Sequence, residues 1–421
     1  MQCFSLYDEK FYEFKHKSGL KIQILPKKGF RRKYAYITVD FGSNDSAFMY
    51  NGKRIDVPHG TAHFLEHKMF EKEGTNIFEK FSKTGAECNA FTDKTMTSYY
   101  FNCVDKFEEN LEILFEEVFV PFFTPESVEK EKGIIIQEIN MYRDDFQAVC
   151  QQNFLGLLYK NNPIKIDIAG TEETVNSITP EILYKCHKAF YRPEFASLTI
   201  VGDVDVENIE KVLDRVNLPM YHDDIIERIQ PEEPEQPASL RSVCKMDTSY
   251  NLFAFGFKDN PSKYNKDERL RRKIVGDYVS ELLFGQTSDL VDELYRSGDI
   301  YSLYAFYEIA ENYGFFGIFG ATDNPDKVEK AIRDYIANIL KEGIDNNLLQ
   351  IIRRASRSWN VRMFDSLSNL ITSVVFCNNA GYNLFDYCEA HDKITEDEVN
   401  DFIKDLLCKE MVVTIVEPKG R

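Results

Sequence analysis

Two histidines four residues apart with a glutamate between them stand out in this 421-residue chain as residues suited to chemistry: His63, Glu66 and His67, in the run His63-Phe64-Leu65-Glu66-His67. On a helix that spacing sets both imidazoles on one face with a carboxylate alongside, where a single ion can meet both rings. A hydrolytic zinc ion takes three protein ligands and keeps a fourth position for water. The pair therefore calls for a third ligand elsewhere and leaves Glu66 to act as the base. The five-residue pattern arises by chance in about one chain in a hundred of this histidine content. Pro58 and Gly60 punctuate a helix start just before it, and Phe64, Leu65, Met69 and Phe70 give that helix an apolar face.

A third ligand must be held rigidly, which a long helix does better than a loop. The run from Pro125 to Met141 opens with a proline in its first turn and carries Glu131 and Glu138. Seven residues make two helical turns, so both carboxylates share a face.

His-x-x-Glu-His is the order found in inverted zincins. Followed downstream by Glu131, six residues and Glu138, it resembles the insulinase/pitrilysin family of zinc metallopeptidases, M16. The resemblance implies one Zn²⁺ per chain held by His63, His67 and Glu138, with Glu66 activating water and Glu131 as a supporting catalytic carboxylate. Gly85-Ala86-Glu87-Cys88-Asn89-Ala90-Phe91-Thr92, followed by Thr97-Ser98-Tyr99-Tyr100-Phe101, resembles the family's strand pair beside the metal, whose edge takes the substrate as an added strand. Asn89 and Ala90 are the expected substrate contacts. The stretch from Phe190 to Asp203 resembles the closing strand of the family's first domain.

Composition sets outer bounds. The length suits two domains of about 200 residues, and 43% hydrophobic with 29% charged residues is ordinary for a globular chain. No apolar stretch approaches a membrane span and the first residues lack a signal peptide's apolar core, so a cytoplasmic location is expected. A net charge of −18 disfavours nucleic acid and anionic membrane as partners. Nine cysteines without paired spacing, among them Cys103, Cys377 and Cys408 in apolar surroundings, read as reduced buried thiols.

The chain also repeats itself. An acidic, proline-rich stretch from Tyr221 to Leu240 reads as a linker between a metal-bearing domain at 1–220 and a second domain at 241–421. The alternating strand around Ile37-Thr38-Val39 is answered by Phe253-Ala254-Phe255. The helix starts at Thr179-Pro180 and Thr395-Glu396 each precede a strand, around Ile200 and Ile415. The expected fold is α+β: two duplicated α/β sandwich domains of the M16/LuxS-like type, each an antiparallel-rich sheet with helices on one side. Only the first half carries the metal motif.

Self-sufficient members of the family place an arginine and, seven residues later, a tyrosine in the second domain. Here the corresponding stretch is Leu294-Tyr295-Arg296-Ser297-Gly298-Asp299-Ile300-Tyr301-Ser302-Leu303. Anchored on Leu294, the two positions fall on Tyr295 and Ser302; anchored on Tyr301, the arginine's place falls to Leu294. Only a gapped alignment brings Arg296 beside Tyr301. The resemblance thus implies a homologous second subunit that supplies the pair, with a homodimer as the alternative, around a chamber that admits short or unfolded peptides. The rival reading is a family member turned non-catalytic structural or peptide-binding subunit.

Overall fold

Segments rich in isoleucine, valine, phenylalanine and tyrosine become the strands, as their β-branched and aromatic side chains favour a pleated surface. The computed structural model describes Gln2–Met220 and Asp224–Gly420. Strands β1 (Gln2–Leu6), β2 (Glu9–Lys15), β3 (Lys21–Pro26) and β4 (Lys33–Val39) lead into two short ribbons, β5 (Ala47–Tyr50) with β6 (Lys53–Asp56) and β7 (Glu71–Lys72) with β8 (Thr75–Asn76). Then come β9 (Glu87–Thr92), β10 (Thr97–Cys103), β11 (Ala196–Gly202) and β12 (Ile226–Arg228). The second half adds β13 (Arg241–Met246), β14 (Asn251–Asp259), β15 (Ser302–Ile309), β16 (Gly314–Thr322) and β17 (Val412–Pro418).

The first sheet runs β1-β2-β3-β11-β4-β10-β9 and the second β13-β17-β14-β16-β15. Five consecutive strands of the first match the second one for one. In each, the late strand lies parallel to an early one (β11 to β3, β17 to β13) and antiparallel to its other neighbour. The helix that precedes each late strand starts on a threonine cap: Thr179 accepts from the Ile182 N–H and Thr395 from the Glu398 N–H. The duplication expected from the sequence is therefore a duplication of topology.

Two compact units result, and they are not successive stretches of chain. One comprises 1–139, 167–229 and 361–385; the other comprises 140–166, 230–360 and 386–421. Relative to bounds of 1–220 and 241–421, each unit takes in one helix from the other half. In the first unit, helix Leu367–Asn379 packs on β4 and β11. Tyr36 and Tyr100, stacked at 4.3 Å, face it, with the Tyr36 hydroxyl bonded to Thr372, and Phe91 stacks on Phe376 at 6.1 Å. The alternate residues point to the opposite face, where Phe101 meets Phe81 at 5.5 Å and Phe107 at 5.4 Å. In the second unit, helix Phe146–Leu158 packs on β14 and β17, with Phe154 set against Phe315 and Phe319. From the other side, Phe402 meets Tyr307 at 5.0 Å.

Both sheets are thus covered on two faces, which corrects the expectation of helices on one side. For the same reason β11, β14 and β16 are buried along their whole length instead of alternating. The acidic stretch after the first half is ordered where it is described; Tyr221, His222 and Asp223 lie outside the described residues. Ile226–Arg228 pairs with β5 as a strand, and Glu233 accepts from the backbone N–H groups of Lys160, Asn161 and Asn162 and from Lys258. None of the nine cysteines is in a disulfide. Cys103 and Cys377 are buried, but Cys408 is exposed at the end of a helix, where it has no apolar cover.

Candidate metal centre

The motif helix, Thr61–Met69, begins at Gly60, whose φ of 93° is a conformation open to glycine and strained for other residues. Gly60 also lies against the backbone of Ala169: a Cβ at Gly60 would sit 2.4 Å from the Ala169 carbonyl oxygen. One at Gly170 would sit 2.4 Å from the His59 carbonyl oxygen. The two glycines let the helix start and the 167–171 turn approach closer than side chains permit, which fixes where the helix begins. Phe64 and Leu65, both fully buried, hold its inner face, at about 1.5–3 kcal/mol each. Lys68, also buried, forms an ion pair with Glu71 and donates to the Ser127 carbonyl at 3.4 Å, tying this helix to helix Pro125–Asp144.

Those two helices bring the predicted residues together. The Nε2 atom of His63 lies 3.7 Å from one oxygen of Glu138, and Nε2 of His67 lies 3.7 Å from the other. One donor atom from each of the three residues falls within 4.8 Å of the others, the one such cluster among the described residues. Metal bonds of about 2.1 Å put tetrahedral donors roughly 3.4 Å apart, so the set fits a zinc ion in size as well as chemistry. Glu131, two turns before Glu138, bonds Nδ1 of His67 at 3.0 Å. That bond sets the tautomer and leaves Nε2 free to face Glu138. His63 Nδ1 is buried and has no hydrogen-bond partner among the described residues.

The electrostatics follow from this packing. Burial, reinforced by the charge of His67, pushes His63 down to about 3, so it stays a neutral ligand at ordinary pH. Burial also lowers His67, but its bond to Glu131 and the charges of Glu66, Glu131 and Glu138 outweigh that and raise it. Glu131 is the complement: burial raises it, while the His67 bond and nearby positive charge bring it below the ordinary value. Glu66 is raised, chiefly by burial, against the opposing pull of hydrogen bonds from Thr92.

Sequence reasoning misses Thr92 as a site residue. It closes β9, and its hydroxyl donates to Oε2 of Glu66 at 2.6 Å, with its backbone N–H bonding the same carboxylate. The cue is present, because β9 and β10 are expected beside the metal and Thr92 is the last residue of that strand. Among the described residues β9 is the edge of its sheet, paired to β10 alone. Asn89 is exposed there and accepts its own neighbour's N–H at 2.9 Å; Ala90, half-buried, pairs with Tyr99. Among the described residues neither hydrogen-bonds the three-residue cluster, and both lie on β9, whose last residue, Thr92, bonds Glu66. In the second unit, Arg296 is paired with Asp292 one turn back, and the Tyr301 hydroxyl bonds Asp323.

Comparison with known proteins places this arrangement. Residues 49–172 match the Insulinase (Peptidase family M16) family, and residues 177–356 match the Peptidase M16 inactive domain. A Bacillus subtilis protein named an uncharacterized zinc protease, YmfH, is 36% identical over 424 residues, covering 98% of this chain and 97% of that one. A crystal structure described as an M16-like peptidase from Alicyclobacillus acidocaldarius superposes with a TM-score of 0.94 at 28% identity, covering 99% of this chain and 100% of the other. A peptidase M16 inactive domain from Pseudomonas fluorescens shares the fold, with a TM-score of 0.80 at 16% identity over 97% of this chain and 98% of that one. Matched over both halves and similar to a relative from end to end, the chain belongs to the insulinase family, peptidase family M16.

Proposed function

We propose that the chain is a zinc-dependent endopeptidase. The observation that carries the reading is the convergence of His63, His67 and Glu138 beside a partly buried carboxylate, Glu66, that is held from the edge strand β9. The relatives' name, zinc protease, supports it. His63, His67 and Glu138 would hold the ion; zinc there supplies Lewis acidity, polarising the scissile carbonyl and acidifying water. Glu66 accepts the proton of the attacking water and passes it to the leaving amine; burial, by raising its pKa, brings it nearer to matching that exchange. Thr92, by occupying Oε2, turns the other carboxylate oxygen towards the reacting water. Glu131 keeps His67 in the tautomer that presents Nε2. The open edge of β9, with Asn89 and Ala90, takes an extended peptide by backbone pairing, which favours short or unfolded chains over folded ones.

A homologous second subunit that supplies an arginine and tyrosine belongs to the same reading. Its support is the spacing in this chain, together with the prior engagement of Arg296 by Asp292 and of Tyr301 by Asp323. The deciding experiment is cleavage of a mixed peptide library by the zinc-loaded chain, alone and with candidate M16-like partner chains, with Glu66→Gln as control. Cleavage that disappears in the control is expected. A chain that purifies without zinc and takes up none would instead establish the non-catalytic alternative, which the inactive-domain relative keeps in view.

A further inference from the structure

Helix Asn346–Met363 reverses the charge character of the chain. Within a protein of net charge −18, it carries Arg353, Arg354, Arg357 and Arg362, and no Asp or Glu lies between Asp345 and Asp365. Leu349 and Ile352 are buried and anchor its inner side. Two of the arginines turn towards neighbouring elements: Arg353 donates to the Ile394 carbonyl at 2.8 Å, and Arg357 lies 3.9 Å from Asp392. Arg354 and Arg362 do not. Both are exposed; Arg354 reaches a backbone carbonyl of its own helix, that of Gln350, and Arg362 has no ion-pair partner among the described residues.

The outward side of the helix is built as two adjacent ridges. Ile351, Ala355 and Trp359 follow one another at intervals of four, and Arg354, Ser358 and Arg362 do the same beside them; all six are exposed. Ile351 is 53% exposed and Trp359 is 52% exposed. An apolar ridge ending in tryptophan, flanked by two guanidinium groups that no carboxylate engages, combines the residue types enriched at binding surfaces.

We propose that this pair of ridges is the docking surface for an acidic peptide segment, whose carboxylates pair with Arg354 and Arg362 while an apolar side chain seats between Ile351 and Trp359 over Ala355. Charge decides among occupants. Each ridge runs over eight residue steps, about 12 Å along the helix, the length of three or four extended residues. A peptide of that reach meets the local positive ridge alone. A nucleic acid or an anionic membrane extends well beyond it and meets the field of a chain carrying −18; a second copy of the chain brings another −18. This surface is independent of the metal centre and of the peptidase reading.

Trp359 is the one tryptophan of the chain, so its fluorescence reports on this surface without labelling. The probe is a peptide about four residues long with blocked ends, of two glutamates and two leucines, matched to the reach of the ridges and titrated into the full-length chain. The expected result is a shift of tryptophan emission to shorter wavelength and protection from an aqueous quencher. Binding should weaken several-fold as salt rises through the range where the Debye length falls to a few ångströms. The double variant Arg354→Gln, Arg362→Gln should bind about tenfold more weakly at unchanged circular dichroism, and Ile351→Ser should weaken binding by itself. Ser358→Glu sets a carboxylate four residues from each of the two arginines, where it competes with the peptide for both, and should weaken binding at least as much. An unchanged emission at saturating peptide, an equal response to a glutamine-for-glutamate peptide, or wild-type affinity in the double variant would overturn the proposal. Stronger binding of single-stranded RNA or of phosphatidylserine vesicles, or an emission shift that depends on protein concentration without peptide, would overturn it in favour of those occupants.

Discussion

Gly60→Ala tests whether the close approach at the start of the motif helix is what places the ligands. The substitution adds two costs. The left-handed backbone of Gly60, at φ 93°, costs an alanine about 1–2 kcal/mol. Its Cβ would also lie 2.4 Å from the Ala169 oxygen and 2.9 Å from the Ala169 carbonyl carbon, so backbone must yield by about 1 Å from ordinary contact. Overpacking of that kind costs about 1–3 kcal/mol. Gly74→Ala isolates the first cost, because Gly74 has φ 69° and nothing within 4 Å of its would-be Cβ. The difference between the two variants is therefore the clash, about 2 kcal/mol, or roughly 4–8 °C in the melting temperature of the first unit. The ligand His63 is three residues beyond Gly60, so zinc affinity should fall at least tenfold in Gly60→Ala and stay unchanged in Gly74→Ala. Differential scanning fluorimetry and competition with a chromogenic zinc chelator measure both quantities. Equal melting temperatures and equal zinc affinities for the two variants would refute the reasoning.

Other expectations are as specific. Glu131→Gln removes the carboxylate that fixes the His67 tautomer and should weaken zinc binding about 10–100-fold; a wild-type dissociation constant would contradict that role. Thr92→Val should lower kcat at least tenfold with zinc content intact, and Thr92→Ser should restore most of it. Because the Thr92 hydroxyl bond helps hold Glu66 down, its loss raises the Glu66 pKa further, so the acid limb of the pH–rate profile should move to higher pH. His187 is buried with its Nε2 against the Val118 carbonyl at 3.0 Å, and burial lowers its pKa to about 3. Below an unfolded value of about 6.5 the unfolded chain takes up the proton first, so stability falls with decreasing pH, by about 2 kcal/mol between pH 6.5 and 5. Urea titrations across that range should show a shallower loss in His187→Gln, and identical slopes would assign the pH dependence elsewhere.

The metal cluster is legible in the sequence because its geometry is local. Residues four and seven apart on helices share a face whatever the tertiary structure does, so both pairs are candidates; that Glu138 and not Glu131 joins the histidines is implied by the family resemblance, and the fold brings Glu138 to them. The duplicated sheet order is legible for a similar reason, since the two halves repeat the same strand and cap signals. Thr92 is hidden because its bond to Glu66 joins residues 26 positions apart through a strand and a helix packed side by side. The alternation expected of the strands fails where a second layer of helix buries both faces. Nothing in the amphipathic pattern of Leu367–Asn379 states that it covers the sheet of the other half, and nothing in Phe146–Leu158 states the converse. Gly60 reads as punctuation in the sequence; its near contact with Ala169 depends on a turn more than a hundred residues away.

That exchange of helices orders events in time. When residue 229 leaves the ribosome, every strand of the first sheet and both ligand-bearing helices exist, yet the face of Tyr36 and Tyr100 has no cover until residues 367–379 follow. At about 5–20 residues per second, the wait is on the order of ten to thirty seconds. For that interval the nascent chain holds its histidines and glutamates beside a bare aromatic sheet. The first sheet therefore gains the layer over Tyr36 and Tyr100 only once residues 367–379 have been made.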